Sequence, residues 1–514
     1  MTVEDFHPTY FQSQRVPEGA RLVGYAALVH QLKIHSPLRH NPSCVSDQFY
    51  RESKPKQNGM FLVYGKRYWP GDRLQDHLEF SLRHETFDLL CLSRIFKNIP
   101  IEEIESSVAE KPNGIYARRI WFLYEYLLQK KIKVEDLTAV TIQPLLDPQK
   151  YYVNKTGPIS KRHRIQNNML GNRDFCPVIQ KTEKIAKAIE QKFDEQAKQI
   201  MAKVSRTTIM RAASFLLLAD TQASFAIEGE RAPRLRLERW LKAVSNAGKN
   251  RFDLQELNRL HGILIHDNRF TPVGVRQEEV FLGERDVYGS PLPEFIGAKQ
   301  SDLVTLLEGF FQVSSTLEGS DVDAVLRAAA LAFGFVYIHP LADGNGRMHR
   351  YILHHILSRS GYTPTGVIFP ISSVLLERID DYRSILTAHT GPLMDYIEWE
   401  PNDKGNVRIL NDTADLYKYF DCTKAAEFVY ECLEHMIKHS IPAELTYLES
   451  YDRVLNGIEM IVEMPNEKVK RLIHYIRENH GKLGNNRRSG EFAALTNAEL
   501  EKIEELVNHH LPAR

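Results

Sequence analysis

A chain of 514 residues, 43% hydrophobic and 26% charged, can bury sizeable cores and has room for about two to four domains. Its 66 basic and 66 acidic residues cancel, which excludes a globally basic binder of nucleic acid or membrane surfaces and leaves anion recognition to local patches. Five dispersed cysteines (Cys44, Cys91, Cys176, Cys422 and Cys432) form no C-x-x-C pair, which excludes a disulfide-stapled scaffold and points to free thiols in a reducing cytoplasm.

The opening MTVEDFHPTY lacks the basic and apolar regions of a signal peptide. The longest apolar run, AAALAFGFVYI at 328–338, is about half the length a membrane span needs. A cytoplasmic protein is expected. Residues 1–180 mix tryptophan, tyrosine, proline and charge without a dominant period, and read as a mixed α/β domain of unknown role. Within it, RRIWFLYEYLLQKK (118–131) is helical by composition, 145–164 is turn and extended chain, and KRHR (161–164) is a solvated basic turn. From about 178 the text turns helical and remains so, giving a mostly α chain with boundaries near 180 and 400.

One interruption spans 269–295. Its short β-prone runs, Val280-Phe281-Leu282 and Val287-Tyr288, flank GERD as a hairpin turn. A helix over about 321–338 carries Val322, Val325, Ala329, Phe333 and Val336 at three- and four-residue steps, one buried stripe. Pro340 ends it. The next helix begins near Gly346 or Arg347, with Met348, Tyr351, Ile352, His355 and Ile356 as its stripe. Residues 401–514 read as a helical C-terminal domain, winged-helix-like in outline, whose last helix opens with the capping box Thr496–Glu499.

Between those two central helices lies IHPLADGNGRMHR, 338–350. Gly344, Asn345 and Gly346 allow positive φ and turn backbone N–H groups inward at a helix N-terminus, where the dipole favours an anion. Arg347 and Arg350, three apart, share one face above that loop. Asp343 is a lone carboxylate of the kind that holds Mg²⁺ beside a polyphosphate. His339 has the ordinary pKa of a general base at neutral pH. The set reads as phosphoryl or nucleotidyl transfer. Taken singly, a histidine at a helix end is usually a cap, G-N-G a turn, and paired arginines a solvated face; the joint arrangement is specific. His349, His354 and His355 near the motif, and His261 and His266 before it, lack cysteine or carboxylate at ligand spacing, so zinc is not expected.

HPLADGNGRMHR resembles the Fic signature H-x-F-x-[DE]-G-N-G-R-x-x-R, departing only at Leu341, where the family has phenylalanine. The resemblance covers roughly 200–395 and implies a Fic-type helical core with a short β-hairpin flap. It implies transfer of AMP from ATP, with Mg²⁺, to a Ser, Thr or Tyr hydroxyl of a protein substrate or of the chain itself. His339 would deprotonate the hydroxyl and Asp343 would hold the metal. Asn345 and the amides of Gly344 and Gly346 would bind the α-phosphate, Arg347 the β- and Arg350 the γ-phosphate. Gly346 stands where Fic-like kinases of the Doc type carry lysine. The segment from Gly274, including Val280, Phe281, Leu282 and Gly283, looks like the flap that docks the target's backbone. SFAIEG (224–229) is similar to the inhibitory pattern [ST]-x-x-x-E-[GN], with Ser224, Glu228 and Gly229 on a helix over about 205–230. By that likeness Glu228 pairs with Arg350 and blocks the γ-phosphate site.

Three functions remain open at this point: AMP transfer, AMP removal or use of another nucleotide (UMP or GMP transfer), and a nucleotide-binding regulatory module without turnover. A homodimer is admitted as a partner; membrane and nucleic acid are not expected.

Overall fold

The computed structural model describes residues 6–49, 54–265, 269 and 271–511. The first residues of MTVEDFHPTY and His266 therefore lie outside the described residues. The chain folds as two compact units that interleave along the sequence: Met1–Glu190, Asn246–Ser360 and Arg378–Tyr430 form the first, and Gln191–Ser245, Gly361–Glu377 and Glu431–Arg514 the second.

The N-terminal part of the first unit is built on four short strands: β1 (Ala20–Val23), β2 (Ser43–Ser46), β3 (Lys56–Asn58) and β4 (Phe61–Gly65). Their order is β1-β2-β4-β3, with β2 and β4 parallel and the outer pairs antiparallel. Helices α1 (Gly24–Gln31), α2 (Leu74–His84), α3 (Leu89–Asn98) and α4 (Ile115–Leu128) accompany the sheet. The expected helix at 118–131 is α4, which ends where Gln129 turns left-handed (φ 56°). KRHR is not a solvated turn. Glu125, on the inner face of α4, draws Arg162 into an ion pair at 3.1 Å, and His163 is only 5% exposed. The backbone carbonyls of His163 and Val140 accept from Arg118 Nε and Arg164 Nε at 3.0 and 2.9 Å. These cations hold the turn together from inside.

The same unit then supplies α5 (Leu254–Leu264), the hairpin β5 (Phe281–Arg285) and β6 (Pro291–Ile296), α6 (Leu303–Glu318), α7 (Ala324–Ile338), α8 (Asn345–Arg359), α9 (Ile379–Met394) and the start of α10 (Thr423–His435). Asp323 caps α7, accepting from the Val325 and Leu326 N–H groups at 2.8 and 3.4 Å. Every member of both expected stripes is buried. The burial goes further than one stripe, because every residue of α7 from Val325 to Ile338 except Arg327 is buried. A helix apolar all round is a central helix rather than a surface one. His349 and His355 are core residues: both are buried, and burial lowers their pKa values to about 3 and about 4.

The hairpin reverses later than GERD. Asp286 accepts from the N–H groups of Tyr288 and Ser290 at 2.9 and 2.8 Å, so the turn is built at 286–290. Gly283, Glu284 and Arg285 belong to β5. Gly283 (φ 143°) sits at a register shift, where an added Cβ would meet the Leu292 carbonyl oxygen at 2.2 Å.

In the second unit, the helix Arg206–Ala226 is capped by Ser205, whose hydroxyl accepts from the Thr208 N–H at 3.1 Å. Its Asp220 is buried and accepts from the N–H and Oγ of Ser372 at 2.6 and 3.1 Å. The helices Ile441–Ile461, Asn466–Glu478 and Asn497–His510 share one apolar core around Ile458, Leu472, Ile476 and Ile503. The last is opened by the Thr496–Glu499 capping box. Among the described residues, no helix is long and apolar enough to cross a membrane.

Candidate active site

The loop between α7 and α8 begins with His339. It closes α7 in a left-handed conformation (φ 55°) and is 8% exposed. Its Nδ1 lies 3.2 Å from the Val336 carbonyl oxygen. A carbonyl only accepts, so the proton sits on Nδ1 and the imidazole lone pair on Nε2. The edge of Phe295, from β6, faces the ring at 5.6 Å between centroids.

Leu341 is fully buried and anchors the loop as an apolar residue should. Asn345, 2% exposed, folds back on it: Oδ1 accepts from Leu341 N–H at 2.9 Å and Nδ2 donates to Leu341 O at 2.8 Å. The side-chain amide that the resemblance assigns to the α-phosphate thus closes the loop. Asn345→Ala leaves a buried N–H and a buried carbonyl without partners. The expected destabilisation is about 1–3 kcal/mol for each, read as a lower urea midpoint. Gly344 (φ 85°) precedes α8, and a Cβ there would meet Leu264 Cδ2 at 2.4 Å. The first N–H groups of α8, including those of Asn345 and Gly346, have no intrahelical acceptor.

Arg347 and Arg350 are each 1% exposed. Two guanidiniums on one helix face, both almost wholly withdrawn from water, are not a solvated pair. Arg347 Nη2 donates to both oxygens of Asp343, at 3.0 and 3.1 Å. Asp343 Oδ1 also accepts from Gly344 N–H at 2.6 Å, and its side chain is 48% exposed. The structure thereby gathers His339, Asp343, Gly344, Asn345, Gly346, Arg347 and Arg350 in one loop and helix start. Ser224, Glu228 and Gly229 belong to the second unit. There Ser224 is buried and Glu228 exposed, and Gly229 turns left-handed (φ 71°) just beyond the helix Arg206–Ala226.

Two further residues position the site. Arg276, 4% exposed, donates from Nε to the His339 carbonyl at 2.9 Å, from Nη1 to Glu278 O at 2.6 Å, and from Nη2 to Ala298 O. It ties both ends of the hairpin to the end of α7. Burial pulls its pKa down to about 10. The backbone joins in: Val275 pairs with Leu341, Gly297 N–H donates to Val280 O at 3.0 Å, and Ala298 N–H to Ile338 O at 3.1 Å. The second residue is His261, fully buried on α5. Its Nδ1 accepts from Gly274 N–H at 2.8 Å, which puts the ring proton on Nε2, 3.0 Å from the Asp343 carbonyl. One neutral imidazole thus spans the start of the flap segment and the carboxylate loop.

Burial holds the His261 pKa below the usual histidine value, against the opposing bond to Asp343. A histidine kept neutral in the fold contributes stability that is complete above its unfolded pKa, about 6.5. That contribution is lost as pH falls toward the folded pKa, because the unfolded chain binds the proton first. His349 and His355 act with the same sign. Stability is therefore expected to decline below about pH 6.5. His261→Gln should flatten that acid limb in urea titrations run at stepped pH.

Comparisons with known proteins fall on this region. Residues 251–357 match the Fic/DOC family. The protein adenylyltransferase fic-1 of Caenorhabditis elegans is 29% identical over 163 residues, covering 32% of this chain and 25% of that protein. The fic-1 adenylyltransferase of Caenorhabditis briggsae is 30% identical over 125 residues, 24% of this chain and 22% of that protein. Protein adenylyltransferase Fic of Drosophila melanogaster is 27% identical over 147 residues, 29% and 26% respectively. This chain thus spans about a quarter of the length of the curated relatives it matches. Among solved structures, a Fic family protein from Desulfovibrio desulfuricans G20 aligns with a TM-score of 0.37 at 17% identity, over 66% of this chain and 87% of that one. The Fic/DOC match takes in the whole of the 339–350 loop and helix start.

Proposed function

We propose that this chain is a protein adenylyltransferase, moving AMP from ATP to a Ser, Thr or Tyr hydroxyl of a target protein or of itself. The observation that carries this reading is the pair of buried guanidiniums, Arg347 and Arg350, on the helix that starts after a left-handed Gly344, with His339 at the loop's other end. A buried cationic face over free helix amides suits a polyphosphate. His339 Nε2 carries the lone pair that takes the hydroxyl proton. The hydroxyl oxygen bonds to the α-phosphorus, the bond to the bridging oxygen breaks, and pyrophosphate leaves. Arg347 and Arg350 spread the leaving charge.

Asp343 is a half-exposed carboxylate, and it fits Mg²⁺ as a lone protein ligand, since phosphate oxygens and waters complete such an octahedron. When bound, the metal neutralises phosphate charge. Arg347, now paired with Asp343, would turn to the phosphates. The outer part of β5, from Leu282 to Arg285, is exposed and, among the described residues, pairs on one side only, with β6, so an extended target segment can add to its other edge.

Regulation by Glu228 belongs to the same proposal. Its exposed carboxylate, on the turn after Arg206–Ala226, is the anion that would compete with the γ-phosphate for Arg350. The test is intact mass spectrometry of purified Glu228→Gly protein after incubation with ATP and Mg²⁺. A gain of one AMP is expected. An unchanged mass in protein that binds ATP contradicts the proposal.

A further inference from the structure

A cavity of about 480 Å³ lies in the first unit, lined by Tyr337 from the last turn of α7. Pro37, Leu38, Ile385 and Leu393 supply apolar walls, while Arg39, Gln180, His389 and Thr423 supply polar ones. The volume falls in the range of small-molecule sites.

Arg39 is the odd member. It also lines a smaller cavity of about 70 Å³ on the other side of residues 38–40, beside Glu85 and Asp88. Among the described residues, its one hydrogen bond runs from Nη2 to the Leu416 carbonyl at 3.4 Å, the long limit for such a bond. A guanidinium has five N–H donors. The carboxylates whose charge reaches it, Asp88, Asp421 and Asp415, bond to other groups, with Asp88 Oδ2 left buried and without a hydrogen-bond partner. Asp415 pairs with Arg94 at 2.9 Å, and Asp88 Oδ1 accepts from Cys91 N–H at 3.0 Å. Asp421 accepts from Gln180 Nε2 at 2.7 Å and from Thr423 N–H at 2.8 Å. Desolvation pulls the Arg39 pKa down, yet among the described residues no carboxylate closes an ion pair with it. Arg39 lines both cavities.

Beside it, His389 stacks on Tyr337 at 3.8 Å between ring centroids, and its Nε2 is buried without a hydrogen-bond partner. Burial, helped by the charge of Arg39, keeps this imidazole neutral. A half-buried guanidinium with spare donors, set beside His389 among apolar walls, makes a receptor for an anion with an apolar body.

We infer that this chamber binds a small organic carboxylate, its two oxygens taken by the Arg39 fork, its apolar part lying against Leu38, Ile385 and Leu393 beside the His389–Tyr337 ring stack. One inward cation matches one negative charge. A phosphate ester would bring a second charge toward Asp421 and Asp88. Lys424, at the rim, is already paired with Glu427 at 3.1 Å. The inference does not depend on the reaction proposed for the His339 loop.

The test uses the full chain and three probes: benzoate, its neutral counterpart benzyl alcohol, and phenyl phosphate. Binding is followed by isothermal titration and ligand-observed NMR. Benzoate is expected to bind once per chain, and more tightly than either other probe. Arg39→Gln is expected to weaken benzoate about tenfold or more, as loss of a charged hydrogen-bond donor does. Ala388→Trp, at an exposed position of the lining, is expected to block binding without disturbing the core, and decides the matter if Arg39→Gln does not fold. No benzoate binding, equal binding by benzyl alcohol, tighter binding by phenyl phosphate, or unchanged affinity in Ala388→Trp would each overturn the inference.

Discussion

Replacing His339 by alanine is expected to lower AMP transfer by about 10²–10⁴-fold, the usual contribution of a positioned general base. The structure makes this a clean substitution. The ring's bond from Nδ1 to the Val336 carbonyl is a neutral hydrogen bond, and losing it costs about 0.5–1.5 kcal/mol. The backbone at this position is left-handed (φ 55°), which histidine and asparagine tolerate better than most residues. His339→Asn is therefore the matched control: it keeps the conformation and should lose as much activity. ATP affinity should change little in either variant, since the cationic face lies on Arg347 and Arg350. A transfer rate unchanged in His339→Asn would remove the histidine from the chemistry.

Glu228→Gly is expected to raise transfer by about 5–150-fold, the range of a typical coupling between two ligands of one site. In the proposed competition a carboxylate at the Arg350 fork would exclude the γ-phosphate, so its removal would free the productive pose. Glu228 is exposed, and Gly229 behind it already supplies the left-handed turn, so the substitution carries little structural cost. Glu228→Gln, which keeps shape but not charge, should activate partly. Adding His339→Ala to Glu228→Gly should return transfer to background. Activation that survived the loss of His339 would mean Glu228 restrains something other than this site.

The loop was legible because its constraints are local. Pro340 ends one helix, the positive φ of Gly344 starts the next, and the apolar positions of α7 and α8 recur at helical spacing. What holds the loop in place was not legible, because those bonds cross long stretches of chain. His261 reaches Gly274 across 13 residues and Asp343 across 82, and Arg276 reaches His339 across 63. A lone histidine on an amphipathic helix and a lone arginine before a β-prone run carry no local mark of such partners. KRHR failed in the same way, since Glu125 lies 37 residues before Arg162. The hairpin turn was misplaced for a subtler reason. Gly283 and Asp286 are both turn formers, and Asp286 makes the bonds that define the reversal while Gly283 absorbs a bulge within the strand.

The central claim is that the α-phosphorus, not the γ-phosphorus, is transferred. It is tested most directly by incubating Glu228→Gly protein in parallel with ATP labelled at the α-phosphate and with ATP labelled at the γ-phosphate, and counting label retained on protein. Retention from the α-label alone, abolished by His339→Ala, is the predicted result. Retention from the γ-label would make the site a kinase and contradict the account.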